Sequence, residues 1–419
     1  MSQTKNSAPA TFSAYDKLVI ALLAFLQFTI VLDFMIMSPL GAVLMPALSM
    51  TPAQFGLVVS AYAFSAGASG FLAAGFADRY DRKKLLVFFY AGFLIGTFLC
   101  GIAPNYWFLL FARIVTGIFG GVIGSIVLAI TTDLFPYEKR AQVMGYVQTA
   151  FAASQIFGIP FSLYLTNHWG WHMPFMFIVF IGILAGLVIL FRLRPVDGHL
   201  KYKQDQNAFT HLFKTVRNTD YLQAFATTAL MSLGGFMLMP FTSAFTVNNV
   251  GIRLDQLPMI YLVTGIAAIF VGPLVGRAAD RFGKFRVFLV GAIFTIITVI
   301  IYTNLGVTSL PLVILINIVL FASIFSRMIP SQALISSIPE PQNRGSFMAV
   351  NSSLQQLSGG LASIVAGLIV SQAADGKIVH FDYLGYLLSF TVMVSIYLMY
   401  TISRKFERPS GPSVPGTKG

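Results

Sequence analysis

Apolar runs of membrane-crossing length, separated by short polar loops, dominate this chain. With soft boundaries they fall at 18–40, 53–76, 85–102, 107–130, 143–165 and 174–191, then at 221–247, 258–275, 287–302, 310–331, 347–372 and 384–402. Each is near the ~20 residues that a helix needs to cross a ~30 Å hydrocarbon core. Backbone polar groups in lipid must be satisfied within the segment, so these runs are expected to be helices. The predicted fold is an all-α membrane protein with 12 transmembrane helices. The first run stays apolar from Leu18 to Leu48 with one acid, Asp33, too long for a secretory signal; it reads as a span.

Composition agrees with this pattern. Of 419 residues, 56% are hydrophobic and 10% charged, against a usual charged share of about a quarter. A water-facing surface of this size needs more charge. Forty Phe and 36 Gly suit lipid-facing rings and close helix contacts.

The net charge of +12 would suggest nucleic acid in a soluble protein. Here its placement matters more. With twelve spans, both termini share a side with the loops after even-numbered spans. All but four of the 27 Lys and Arg lie on that side, Arg79, Arg82, Lys83, Lys84, Lys139, Arg140, Arg281, Lys284 and Arg286 among them. Arg253 and Lys377 fall opposite, and Arg113 and Arg327 lie within spans. The positive-inside rule then puts both termini in the cytoplasm and leaves no role for nucleic acid. Cys100, the only cysteine, sits in an apolar run, so no disulfide and no CxxC site is expected.

The longest polar interruption divides the chain six spans and six. The expected organisation is a six-helix bundle over 1–191, a cytoplasmic linker over 192–220, a second bundle over 221–403 and a disordered tail over 404–419. Phe209, Leu212 and Phe213 among basic residues suggest an interfacial helix in the linker. The halves repeat. Asp78-Arg79 after span two and Asp280-Arg281 after span eight are 202 residues apart, as are Gln54 and Gln256; Arg140 and Arg344 are 204 apart. A duplicated unit of this kind places a substrate site between its halves.

At these residues the chain resembles the major facilitator superfamily over nearly its whole length. The loop signature Gly-x-x-x-Asp-Arg-x-Gly-(Arg/Lys) is matched by Gly276, Asp280, Arg281, Gly283 and Lys284. The first copy keeps Asp78, Arg79, Arg82 and Lys83 but has Ala74 and Asp81 at the glycine positions, which should weaken its turn. The resemblance implies two pseudo-symmetric bundles, and a loop that latches one of two rocking conformations; charge anchoring at the membrane surface is the plainer reading of any single Arg or Lys there.

Three ionisable side chains lie well inside spans: Asp33, Arg113 and Arg327. A charge at mid-membrane costs at least ~2.5 kcal/mol, so each is a functional candidate. Counting helix rise, Asp33 lies ~8 Å and Arg113 ~9 Å below the same membrane edge, a shared depth that suggests an ion pair or a proton-linked exchange. A static structural pair is the alternative. Arg327 lies ~25 Å along span ten. It binds an anionic substrate group, gates the inner mouth, or snorkels to the interface. With two cations and one acid in the spans, a neutral, zwitterionic or anionic amphipath suits the interior better than a purely cationic drug. Gln148, Gln155, Asn351, Gln355 and Gln356 are placed to hydrogen-bond a solute or each other's helices, with Gln148 and Gln155 on one helix face. Tyr62, Phe236 and Phe241 are further lining candidates, or simple packing residues.

Arg113 in Ala-Arg-Ile-Val-Thr-Gly117 resembles the fourth-helix motif of the family, and Gly158-Ile-Pro160 a degenerate fifth-helix antiporter motif with Ser154 in place of an upstream glycine. The resemblance therefore points to the bacterial drug:proton antiporter branch, with Asp33 and Arg113 in proton coupling. It implies a functional monomer in a bacterial inner membrane that exchanges protons for a small-molecule substrate. A uniporter or symporter of sugars or organic anions is the alternative. No phosphate loop, HExxH pair or Gly-x-Ser-x-Gly elbow occurs, so neither an ATP-driven pump nor a membrane enzyme is indicated, and no cofactor or metal is expected.

Overall fold

The computed structural model describes residues 12–76, 79–201, 215–340 and 344–406. Spans one to four are Ala14–Ala47, Pro52–Phe76, Arg82–Gly101 and Tyr106–Leu134. Span five runs through Tyr137–Ala153, a π-helical turn at Ser154–Gly158, and Ile159–Trp169; span six is Met173–Arg192. Span seven joins Thr219–Leu238 to Thr242–Asn248 through a 3-10 turn at Met239–Phe241. Spans eight to twelve are Leu257–Phe282, Lys284–Thr303, Leu310–Ser336, Arg344–Ile369 and Phe381–Phe406.

Ten helices among the described residues are long and apolar enough to cross a membrane. Spans five and eleven complete the twelve. The first is broken by its π turn, and the second is diluted by Asn351, Gln355 and Gln356.

Local chemistry sets the helix ends. Ser13 and Asp16 form a capping box at span one, and Asn105 Oδ1 accepts from the Phe108 amide at 3.0 Å to start span four. Span eleven ends at Ile369, three residues before the sequence boundary. Beyond it, Asp375-Gly376 forms a turn, with Gly376 at φ 85°, that pairs Ser371–Gln372 antiparallel with Ile378–Val379. Asn249 at the end of span seven grips this hairpin through Ile378, donating to its carbonyl and accepting from its amide, both at 2.8 Å. Of the linker, Gly198–Lys201 forms a 3-10 turn, while Phe209, Leu212 and Phe213 lie outside the described residues, as does 407–419 of the tail.

Within the first half, span four packs on spans two and three, span three on span six, and span one on span five. In the second, span seven packs on eleven and twelve, and span ten on eight and nine. The halves meet chiefly where span two packs on eleven, one on seven, and five on eight.

We call the face bearing both ends of the described chain proximal and the opposite face distal. The distal ends of the halves are closed. The Ser38 hydroxyl donates to the Met239 carbonyl, Ser243 Oγ donates to the Ser38 carbonyl at 2.6 Å, and Asn167 Nδ2 donates to the Leu254 carbonyl at 3.1 Å. A Cβ at Gly56 would stand 2.5 Å from the Ser363 carbonyl oxygen, so only glycine lets span two approach span eleven this closely.

Proximally the halves part. The distal part of span one, Val31 to Met45, belongs to an apolar core shared by both halves; its proximal part, Val19 to Ile30, belongs to a core confined to the first half. The stretch Tyr137–Ala153 meets span eight sparsely and exposes Gln142, Tyr146 and Gln148. Contacts between the halves thus thin out towards the face that carries its basic loops.

Candidate functional site

Asp33 and Arg113 form a buried ion pair. Arg113 Nη1 donates to Asp33 Oδ2 at 2.8 Å, and both residues have 0% exposure. Thr97 Oγ1, on span three, donates to the other carboxylate oxygen at 3.1 Å. The guanidinium carbon lies 4.5 Å from the centre of the Tyr62 ring, a cation–π contact. Three spans and a ring from a fourth therefore hold the pair. The matching depths of Asp33 and Arg113 did bring them together.

Thr97 was not anticipated. It lies four residues before the distal end of span three, ~6 Å by helix rise, so the same depth reasoning would have found it. Phe34, next to Asp33, was also missed. Its ring sits 5.4 Å from Tyr62 and 5.7 Å from Phe236 of span seven, so it carries the aromatic cluster beside the ion pair into the second half. A Phe following an acid in an apolar run has no distinguishing sequence signal.

The other predicted lining residues are spread out. Phe241 is fully buried against Phe55 at 6.1 Å, part of the distal closure rather than of an accessible wall. Gln148 is exposed where the halves part, and Gln155 is half-buried inside the π turn. Asn351 Oδ1 accepts from Thr228 Oγ1 at 2.7 Å, tying span eleven to span seven, and Gln355 is half-buried one turn on.

Arg327 is the outlier. It is 6% exposed, its Nε has no hydrogen-bond partner, and no carboxylate pairs with it among the described residues. It shares the buried face of span ten with Asn317, Leu320, Ser323, Pro330 and Ser331.

The loop residues divide by half. Arg82 Nε pairs with Asp133 Oδ2 at 3.1 Å, joining the start of span three to the end of span four, and Arg140 donates to the Thr132 and Phe135 carbonyls at 2.6 and 3.0 Å. Arg79 is exposed, and Asp78 lies outside the described residues. Asp81 has a local role of its own: its carboxylate accepts from the Lys83 and Lys84 amides at 2.7 and 3.2 Å, so it N-caps span three. In the second copy Gly283, at φ 94°, makes the turn between spans eight and nine; Lys284 opens span nine, Asp280 and Arg281 are exposed, and Gly276 faces open space.

Comparison with known proteins agrees with this architecture. The chain is 26% identical over 269 residues to the uncharacterized MFS-type transporter YceJ of Bacillus subtilis, covering 63% of this chain and 67% of that one. It is 28% identical over 250 residues to the multidrug resistance protein MdtG of Klebsiella pneumoniae, covering 58% and 60%. Among solved structures, a bacterial homolog of the human lysosomal transporter Spinster, inward-facing and occupied, superimposes with a TM-score of 0.73 at 16% identity, covering 96% of this chain and all of that one. The sequence model of the Major Facilitator Superfamily matches residues 23–363 and 224–417, and the chain belongs to that superfamily of membrane transporters.

Proposed function

We propose that this chain exports a small organic or amphipathic compound in exchange for protons, by alternating access between its two faces. The observation that carries the reading is the sealed Asp33–Arg113 pair, on the first half and next to the distal closure. With the distal face shut, the carboxylate keeps its guanidinium and Thr97 partners and is out of contact with water. Rocking of the halves opens the distal side. Water then reaches Asp33, a proton neutralises it, and the Arg113 contact weakens. Return to the proximally open state with the acid protonated requires the proton to leave on that side, where Arg113 recovers its partner. Substrate loaded from the proximal face moves in the opposite direction.

In this reading Phe34, Tyr62 and Phe236 line the path beside the pair, Gln148, Gln155, Asn351 and Gln355 supply polar contacts, and the loops around Arg82 and Asp280 hold the proximal ends. Both termini are cytoplasmic, the two bundles span 1–191 and 221–403, the membrane is a bacterial inner membrane, and a monomer suffices. The multidrug resistance relative supports an exporter.

The test uses inverted vesicles that hold the full chain and are acidified by respiration. Addition of chloramphenicol or norfloxacin should release protons, read as dequenching of a trapped acridine dye, and Asp33→Asn should abolish the response. An undiminished response from Asp33→Asn would sink the coupling assignment; substrate flux indifferent to the pH gradient would favour a uniporter.

A further inference from the structure

Arg327 is a buried guanidinium that no described residue neutralises. Its partners are missing on every side. Span ten packs on spans eight and nine, and Gly291 of span nine lies against the Ser326–Arg327 backbone, where an added Cβ would meet the Arg327 amide at 3.1 Å. Neither span eight nor span nine carries an acid before the proximal Asp280. The Asp33 carboxylate is already taken by Arg113 and Thr97. Nor does it snorkel: the side chain is 6% exposed and lies on the buried face of span ten with Asn317, Ser323 and Ser331.

A charge held in the interior without a protein partner is an incomplete ion pair, and a transported solute completes it most simply. Depth supports this. Phe236 lies ~25 Å from the proximal end of span seven, so the aromatic cluster sits ~11 Å further from the proximal face than Arg327. Asn351, ~10 Å from the proximal end of span eleven, is level with Arg327 to within ~4 Å. The interior thus offers a cation and amides nearer the proximal face, and aromatic rings deeper in.

We infer that Arg327 is the anion-binding group of the transport site, and that the substrate is an elongated amphipath. One carboxylate, sulfonate or phosphate meets Arg327, and an apolar or aromatic body extends towards Phe34, Tyr62 and Phe236. The inference rests on the transporter reading above but not on its proton coupling. It separates this chain from exporters of cationic drugs, because a cation would face an unneutralised guanidinium on its way through.

Two probes with one scaffold test it: 8-anilinonaphthalene-1-sulfonate and its uncharged congener N-phenyl-1-naphthylamine. Fluorescence titration of the full chain in phosphatidylcholine nanodiscs, with empty discs subtracted and no pH gradient, gives the two affinities. Arg327→Gln should weaken sulfonate binding roughly tenfold or more and leave the neutral probe within about twofold, the loss expected for a hydrogen-bonded charge pair. Arg327→Lys should retain most of the preference. Arg253→Gln, at an exposed distal guanidinium paired with Asp255, should leave both affinities unchanged, and the absence of a pH gradient keeps failure of the anion site separate from failure of the proton site. Unchanged sulfonate binding in Arg327→Gln, or equal loss of both probes, would overturn the assignment.

Discussion

The two halves handle interior charge in opposite ways. The first places an acid and a base at one depth and closes them on each other, 2.8 Å apart with no exposure. The second has no equivalent pair. At the repeat spacing of 202, Asp33 corresponds to Gly235, and at 204 Arg113 corresponds to Asn317, whose amide bonds its own helix at the Val313 carbonyl. Its one interior charge, Arg327, stands ten residues further along and alone. Duplication has kept the helical frame while the charges diverged. A half with neutralised charge can move without exposing it; a half with an open charge waits for something to arrive.

This contrast is easiest to break at the ion pair. Arg113→Ala leaves Asp33 buried without its main partner and should cost ~3–5 kcal/mol, read as a large drop in melting temperature in detergent. The double variant Asp33→Asn with Arg113→Gln should recover much of that loss, because no buried charge remains. Arg327→Gln should act with the opposite sign: removing an unpaired intramembrane guanidinium recovers up to ~2.5 kcal/mol and raises the melting temperature. If both arginine substitutions destabilise alike, Arg327 has a partner and the contrast is lost.

The contact between the halves gives a third handle. Gly56→Leu forces a side chain into the Ser363 carbonyl and should disfavour the distally closed state by ~1–3 kcal/mol. Faster maleimide labelling of Ser38→Cys in a Cys100→Ser background would report it. The smallest effects fall on the two loops. Asp81→Ala removes an N-cap, and Gly283→Ala places a side chain at φ 94°; each should cost about 1 kcal/mol by different routes. Asp81→Asn should then be tolerated, whereas Gly283→Asn should be no milder than Gly283→Ala, because φ 94° with ψ 138° lies outside the left-handed helical region that asparagine tolerates.

Much of this was legible because lipid imposes simple rules. Run length gave the helices, and depth along two spans gave the Asp33–Arg113 pair. Side-chain rotation about a helix axis is harder to read, which is why Phe241 was expected to line a path and instead seals the distal end against Phe55. Ser38 and Ser243 join the halves through backbone carbonyls, and carbonyls have no sequence signature. Asp81 stands at a glycine position of the family pattern, yet an acid directly ahead of a helix caps it whatever the family prefers there. Asp375-Gly376 is an ordinary turn signal, but which strands such a turn pairs depends on the distant Asn249.

The π turn in span five has a mechanical meaning. It inserts a wider turn between the stretch that faces the proximal gap and the stretch that carries Asn167 to the Leu254 carbonyl. The wider turn takes up one residue more than an α-helical turn, so the stretches on either side keep their own faces although their sequence periods are out of step by about 100°. A residue deleted within it would be absorbed as the helix closes, whereas one deleted elsewhere in the span would swing Asn167 away from its counterpart.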